Sequence, residues 1–250
     1  MTNPRIPTGS FARIALSLSL FGAVAVACSS KPADTASTTP PQSNASASSG
    51  GSAATVAPTG VTRNRVSSPT PGTIAAMAEF GENAYDAATA SSWAKASAIS
   101  DSLAAGERTL PTPNSDIDST VQSLKSAIAR KDRPAARHYA NAITRLATEM
   151  SAHYTDPTPS DVAMLDYYGR EIELGAAAND IAVLKQTTSN IDATWARVRP
   201  QVESHGGAAV ARKFGDTVTR LDAATTAAEY GKLATTILAQ VDDLEKVFVK

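Results

Sequence analysis

Apolar residues recur along most of this chain at steps of three and four, the spacing that gathers them on one face of an α-helix. Ile117, Val121, Leu124 and Ile128 make one such face, and Ala136, Ala140, Ile143, Ala147 and Met150 make another. Val162, Leu165, Gly169, Ile172 and Ala176 repeat it. Ile181, Leu184, Thr188, Ile191, Trp195, Val198 and Val202 alternate threes and fours without a miss. Val210, Phe214, Val218 (with Thr217), Leu221 and Thr225 follow, and Leu233, Ile237, Val241, Leu244 and Phe248 close the series. Strand-like alternation over four or more residues is missing, so the pattern predicts no sheet.

The punctuation divides these faces into helices. Thr73 follows Pro-Gly and can cap a first helix; Pro111-Thr-Pro-Asn114 breaks the chain, with Asn114 or Ser115 as the next cap. Asp156-Pro-Thr-Pro-Ser160 is a second break, with Ser160 as cap, and Gly206-Gly207 is a third, with His205 at a helix C-terminus. Pro200 is expected to kink or end its helix near Arg199. Softer breaks fall at Ala90-Ser-Ser92, Lys131-Asp-Arg-Pro134, Asn179-Asp180 and Ala227-Ala-Glu229. The expectation is an all-α domain over 73–250: about eight helices in four helical hairpins. The second helices begin near Trp93, Pro134, Asp180 and Tyr230. That interval of roughly 40 to 50 residues suits a short solenoid of helix pairs. One bundle or two four-helix bundles fit the pattern equally. Alanines on the apolar faces, with Gly81, Gly169 and Gly231 in helix interiors, point to close helix–helix approach. Phe248 and Val249 are expected to dock on the core.

The N-terminal part has a different character. Arg5 and Arg13 precede an apolar run of roughly 14 residues, Ile14 to Ala27, with no acidic residue before Cys28. The run is shorter than the ~20 residues a membrane-spanning helix needs, and the order of basic start, apolar middle and small residues is that of a signal peptide, 1–27. Its end, Ala25-Val-Ala-Cys28, resembles the lipobox of bacterial lipoproteins. That resemblance implies a palmitate-type lipid on the Cys28 sulfur and a mature chain starting there, exported and anchored to a membrane with its domain facing the periplasm or the cell exterior. Ordinary cleavage at an Ala-x-Ala pattern, without lipid, is the competing reading.

From Cys28 to Gly72 the chain is rich in Ser, Thr, Pro, Ala and Gly with scattered charges, and residues 29–72 contain no Phe, Trp, Tyr, Leu, Ile or Met. Such a stretch cannot bury enough apolar area to offset the entropy of ordering it, and a disordered linker is expected. Its reach would be about 35–40 Å. Cys28 is the only cysteine, so no disulfide can form within the chain.

Charge and motifs narrow the function only by exclusion. Without residues 1–27 the chain carries 21 basic and 24 acidic side chains, a mildly acidic balance that argues against nucleic acid as a partner. His138, His153 and His205 make no metal-ligand spacing with one another, and no phosphate loop, dinucleotide fingerprint or Gly-x-Ser-x-Gly elbow occurs. No cofactor, metal or catalytic residue is expected, and the chain does not read as an enzyme. The densest polar group is Asp166-Tyr-Tyr-Gly-Arg-Glu-Ile-Glu173. On a helix, Asp166, Arg170 and Glu173 share one face, and Tyr167 and Glu171 another. As a surface feature, Asp166 and Arg170 are a helix-supporting pair. Facing a bundle interior, Asp166, Tyr167, Arg170 and Glu173 could hold a cation or a small anion. The expected function is therefore a lipid-anchored, non-enzymatic binding or interaction module of the cell envelope, whose partner is another envelope protein. The alternative is a solute- or metal-binding lipoprotein with a pocket near Asp166–Glu173.

Overall fold

The computed structural model describes residues 65–249. These form α1 (Gly72–Thr89), α2 (Trp93–Glu107), α3 (Ser115–Ala129), α4 (Arg133–Ser151), α5 (Ser160–Ala178), α6 (Ile181–Ser204), α7 (Ala208–Ala223) and α8 (Ala227–Phe248), with no strand among the described residues. The all-α expectation of eight helices in four hairpins holds. The signal peptide, Cys28 and residues up to 64 of the linker lie outside the described residues.

The helices assemble as two four-helix bundles. In the first, α1 packs on α2 and α4, and α3 on α2 and α4; in the second, α5 packs on α6 and α8, and α7 on α6 and α8. Contact between α4 and α5 joins them. Each bundle has its own apolar core. Met77, Leu103, Leu124 and Ile143 are among the fully buried residues of the first, and Leu165, Ile191, Phe214 and Ile237 among those of the second. The apolar faces read from the sequence are these cores, which is why each hairpin forms: an amphipathic helix buries its stripe only against another.

α1 and α5 share features at one interval. Gly81 of α1 lies against Thr144 and Ala140 of α4, and Gly169, 88 positions later, lies against Leu238 and Ile237 of α8. A Cβ at Gly81 would come within 2.5 Å of Thr144 Oγ1, and one at Gly169 within 2.8 Å of Leu238 Cδ2. Both glycines therefore let the first and last helices of a bundle approach closely. The turns after α1 and α5 also correspond: Ser91 (φ 54°) and Asn179 (φ 55°), again 88 apart, are both left-handed.

Several boundaries differ from the sequence expectation. α1 and α5 begin at Gly72 and Ser160, directly after Pro71 and Pro159, and neither start has a side-chain cap. The proline ring has already set the entry φ, so Thr73 and Ser160 sit inside their helices rather than before them. Asn114 is the cap of α3, accepting from the Asp116 and Ile117 amides. α6 does not end near Arg199 but runs through Pro200 to Ser204, with Val198 and Val202 fully buried on either side of the proline. Their packing outweighs the loss of one amide donor in the last turns. α8 starts at Ala227 because Thr226 and Glu229 form a capping box. Thr225 then falls outside α7 and is exposed. Phe248 docks on the core, whereas Val249 is 71% exposed.

Folded structure also begins before Thr73. The Val66 amide donates to the His153 carbonyl (2.8 Å) and the Thr155 amide to the Ser68 carbonyl (2.9 Å). Thr70 donates to Asp156 from its amide (2.9 Å) and its hydroxyl (2.5 Å). The segment entering α1 is thus strapped to the connection between the two bundles.

Candidate functional site

The polar run of α5 lies at the joint between the bundles. α5 commits Val162, Leu165 and Ile172 to the second core, and a neighbouring face carrying Asp166, Arg170 and Glu173 turns towards the first bundle. α4 does the reverse. Ala136, Ala140, Ile143 and Ala147 fill the first core, while Arg137 and Asn141, one turn apart, meet α5. α1 contributes Glu82 and Tyr85. Higher numbers on α4 pair with lower ones on both α1 and α5, so α4 runs antiparallel to both.

Three helices converge on one hydrogen-bonded triangle. The Tyr85 hydroxyl donates to Glu173 Oε2 (2.8 Å) and accepts from Arg137 Nη2 (2.5 Å). Arg137 Nη2 also pairs with Glu173 Oε1 at 2.8 Å. The guanidiniums of Arg137 and Arg170 stand 4.7 and 5.1 Å from the centroid of the Tyr85 ring, within cation–π range. Arg170 lies 3.1 Å from Asp166 Oδ2 through Nε and 3.6 Å from Glu82 Oε2 through Nη2. Asp166 and Arg170 are each 2% exposed. Further along the seam, Asn141, fully buried, donates from Nδ2 to Glu171 Oε1 (2.7 Å) and to the Tyr167 carbonyl (3.2 Å).

The electrostatics keep this joint neutral in its phenols and make one carboxylate, that of Glu171, costly. Burial, helped by the Glu173 charge, pushes the Tyr85 hydroxyl far above the usual phenol range. Burial, with Glu171 next in importance, does the same at Tyr167. Both phenols therefore stay protonated, as donors rather than bases. The Glu171 carboxyl is also raised by burial, against the opposing pull of the Asn141 hydrogen bond and of His138 and Arg145.

The structure thus brings Asp166, Arg170 and Glu173 into one cluster. Tyr167 is half-buried beside it, its ring 5.0 Å from that of Tyr168. Glu82, Tyr85, Arg137 and Asn141 were not among the residues expected at a site. A signal existed in α4: Arg137, Asn141 and Arg145 recur at steps of four, a polar stripe offset from the apolar one. Among the buried side-chain atoms, Arg137 Nε, Arg170 Nη1 and Asn141 Oδ1 have no hydrogen-bond partner.

Elsewhere the candidates resolve into structural roles. His138 and His153 are exposed. His205 is the C-cap of α6, its Nδ1 2.8 Å from the Gln201 carbonyl and its ring 4.9 Å from that of Phe248. Two surface depressions, one beside His205, Asp243 and Lys246 and one between Arg65 and Ser160, lie away from the joint. Among the described residues no group of three His, Cys, Asp or Glu side chains is placed to hold a metal ion, and no helix is long and apolar enough to cross a membrane. Large hydrophobic side chains left exposed are Val66, Val183 and Val249, each on a different segment.

No family model matches this chain, and neither do curated proteins or solved structures.

Proposed function

We propose that this chain is an exported, lipid-anchored and non-catalytic interaction module of a bacterial cell envelope, a two-bundle scaffold held off the membrane by the Ser/Thr/Pro/Ala/Gly-rich segment 28–72. The observation that carries the non-catalytic reading is the use made of its densest polar cluster. Tyr85, Arg137, Asp166, Arg170 and Glu173 bind one another across three helices, so their chemistry is committed to joining the bundles. The lipid anchor rests on the lipobox-like Ala25-Val-Ala-Cys28 and on the composition of residues 29–72. Among the described residues the exposed large hydrophobic side chains, Val66, Val183 and Val249, lie on three separate segments, which favours a weak or transient protein partner over an obligate one. The test is metabolic labelling with a fatty-acid analogue in a bacterial host, followed by crosslinking at the cell surface. Label on the wild-type chain but not on Cys28→Ala, with a protein crosslinked to the folded domain, supports the proposal. An unlabelled wild-type chain overturns the anchor.

One observation favours a second reading. The buried donors Arg137 Nε and Arg170 Nη1 lack protein partners and are cationic, the chemistry that would take a small anionic solute. Native mass spectrometry of the purified chain would then show an added mass that Arg170→Ala removes.

A further inference from the structure

The seam between α4 and α5 contains an unfinished hydrogen-bond pair. Asn141 is fully buried and uses both hydrogens of Nδ2, towards Glu171 Oε1 at 2.7 Å and the Tyr167 carbonyl at 3.2 Å. Its Oδ1 is buried without a hydrogen-bond partner. Turning the amide over does not help, because Oδ1 would then face two acceptors. What Oδ1 lacks is a donor, and an ionised Glu171 can only accept. A protonated Glu171 has both functions: its carbonyl oxygen accepts from Asn141 Nδ2 while its O–H can donate to Oδ1, completing an amide–acid pair after a small rotation of the carboxyl.

We propose that Glu171 is a proton-operated latch between the two bundles, its protonation supplying the missing donor to Asn141 Oδ1 so that the α4–α5 joint tightens as the pH falls. The proton comes from solvent, and no bond other than the carboxyl O–H is made. The groups facing Glu171 are His138 and Arg145 from α4 and Tyr167 from its own helix. His138 and Arg145 pull the carboxyl down, and the phenol stays neutral. Burial opposes them, and it prevails: the carboxyl is held above the usual glutamate range. The sign follows. A carboxyl raised in the folded state makes its stabilising contribution fully below the pH at which the unfolded chain binds the proton. That contribution is lost as the pH rises through the folded-state value.

Glu171→Gln tests this, because an uncharged amide offers a donor and an acceptor at every pH. Thermal unfolding of the purified chain and of this variant should give the variant the higher Tm at pH 8. The gap should close as the pH falls towards 4 and the wild-type carboxyl takes its proton. Adding Asn141→Ala should remove the gain. A Gln variant less stable than the wild type at pH 8, or a gap that does not change with pH, would overturn the proposal. A second readout needs no variant: ¹³C NMR titration of the Glu171 carboxyl in the wild-type chain. A midpoint above the ordinary glutamate value is expected, and one at or below it contradicts the latch.

Discussion

Tyr85 and Glu173 stand 88 positions apart, the same interval that separates Gly81 from Gly169, and they hydrogen-bond to each other at 2.8 Å. Glu82 and Arg170, the neighbouring ion pair, are separated by the same interval. Positions 88 apart on α1 and α5 thus meet each other across the joint. These complementary pairs, phenol against carboxylate and carboxylate against guanidinium, hold α1 and α5 in one register.

The Tyr85 hydroxyl is the most economical place to test that joint. Tyr85→Phe keeps the buried ring beside both guanidiniums and removes one donor and one acceptor. The expected loss is about 1–2 kcal/mol of stability in urea unfolding, because Glu173 and Arg137 retain each other while losing the shared hydroxyl. Removal of the whole ring, Tyr85→Ala, should cost clearly more, since it also empties a position that is 3% exposed.

The two interior glycines should respond unequally. At Gly81 a methyl group would meet the Thr144 amide nitrogen at 2.9 Å and the Ala140 carbonyl at 3.0 Å, which are backbone atoms of a helix that cannot yield locally. At Gly169 it would meet the ends of the Leu238 and Ile237 side chains, which can rotate. The gain in helix propensity of about 1 kcal/mol is common to both. Gly81→Ala is therefore expected to destabilise by more than about 1 kcal/mol, and Gly169→Ala to fall within about 1 kcal/mol of the parent, as measured by chemical denaturation.

The start of α8 carries a pH signature of opposite sign to that of Glu171. The Thr225 and Thr226 amides donate to Glu229 Oε2 at 2.9 and 3.0 Å, and these bonds hold the Glu229 carboxyl below its ordinary range. Its contribution is present above the ordinary glutamate value and is lost as the pH falls through the depressed one. An NMR titration should place the Glu229 midpoint below that of free glutamate. Thr226→Ala keeps both amides, so the midpoint should stay below the ordinary value, while loss of the cap hydroxyl should cost about 1 kcal/mol.

The helices and their buried faces were legible because each depends only on local spacing. Ile117, Val121, Leu124 and Ile128 needed no knowledge of their partner to be recognised as a stripe. The choice among one bundle, two bundles and a solenoid was not legible. It depends on α1 closing onto α4 and α5 onto α8, and the enabling features are the single glycines Gly81 and Gly169. Asp166, Arg170 and Glu173 stood out as a charged face, but the helices that would cover it could not be read locally. Arg137 and Asn141 lie 36 and 30 residues from Glu173 and Glu171, and Tyr85 lies 88 from Glu173. Pro200 misled for a related reason: the rule for an interior proline is local, whereas the burial of Val198 and Val202 that carries α6 past it is tertiary.

The central claim is that the polar cluster joins the bundles, and a double-mutant cycle on Arg137 and Glu173 tests it most directly. Urea unfolding of the parent, Arg137→Met, Glu173→Gln and the double variant gives the interaction energy free of each residue's other contacts. The Arg137 side chain is 11% exposed and that of Glu173 37%, so solvent weakens the pair without abolishing it. A favourable coupling of about 1 kcal/mol is the predicted result. A coupling indistinguishable from zero would contradict the joint.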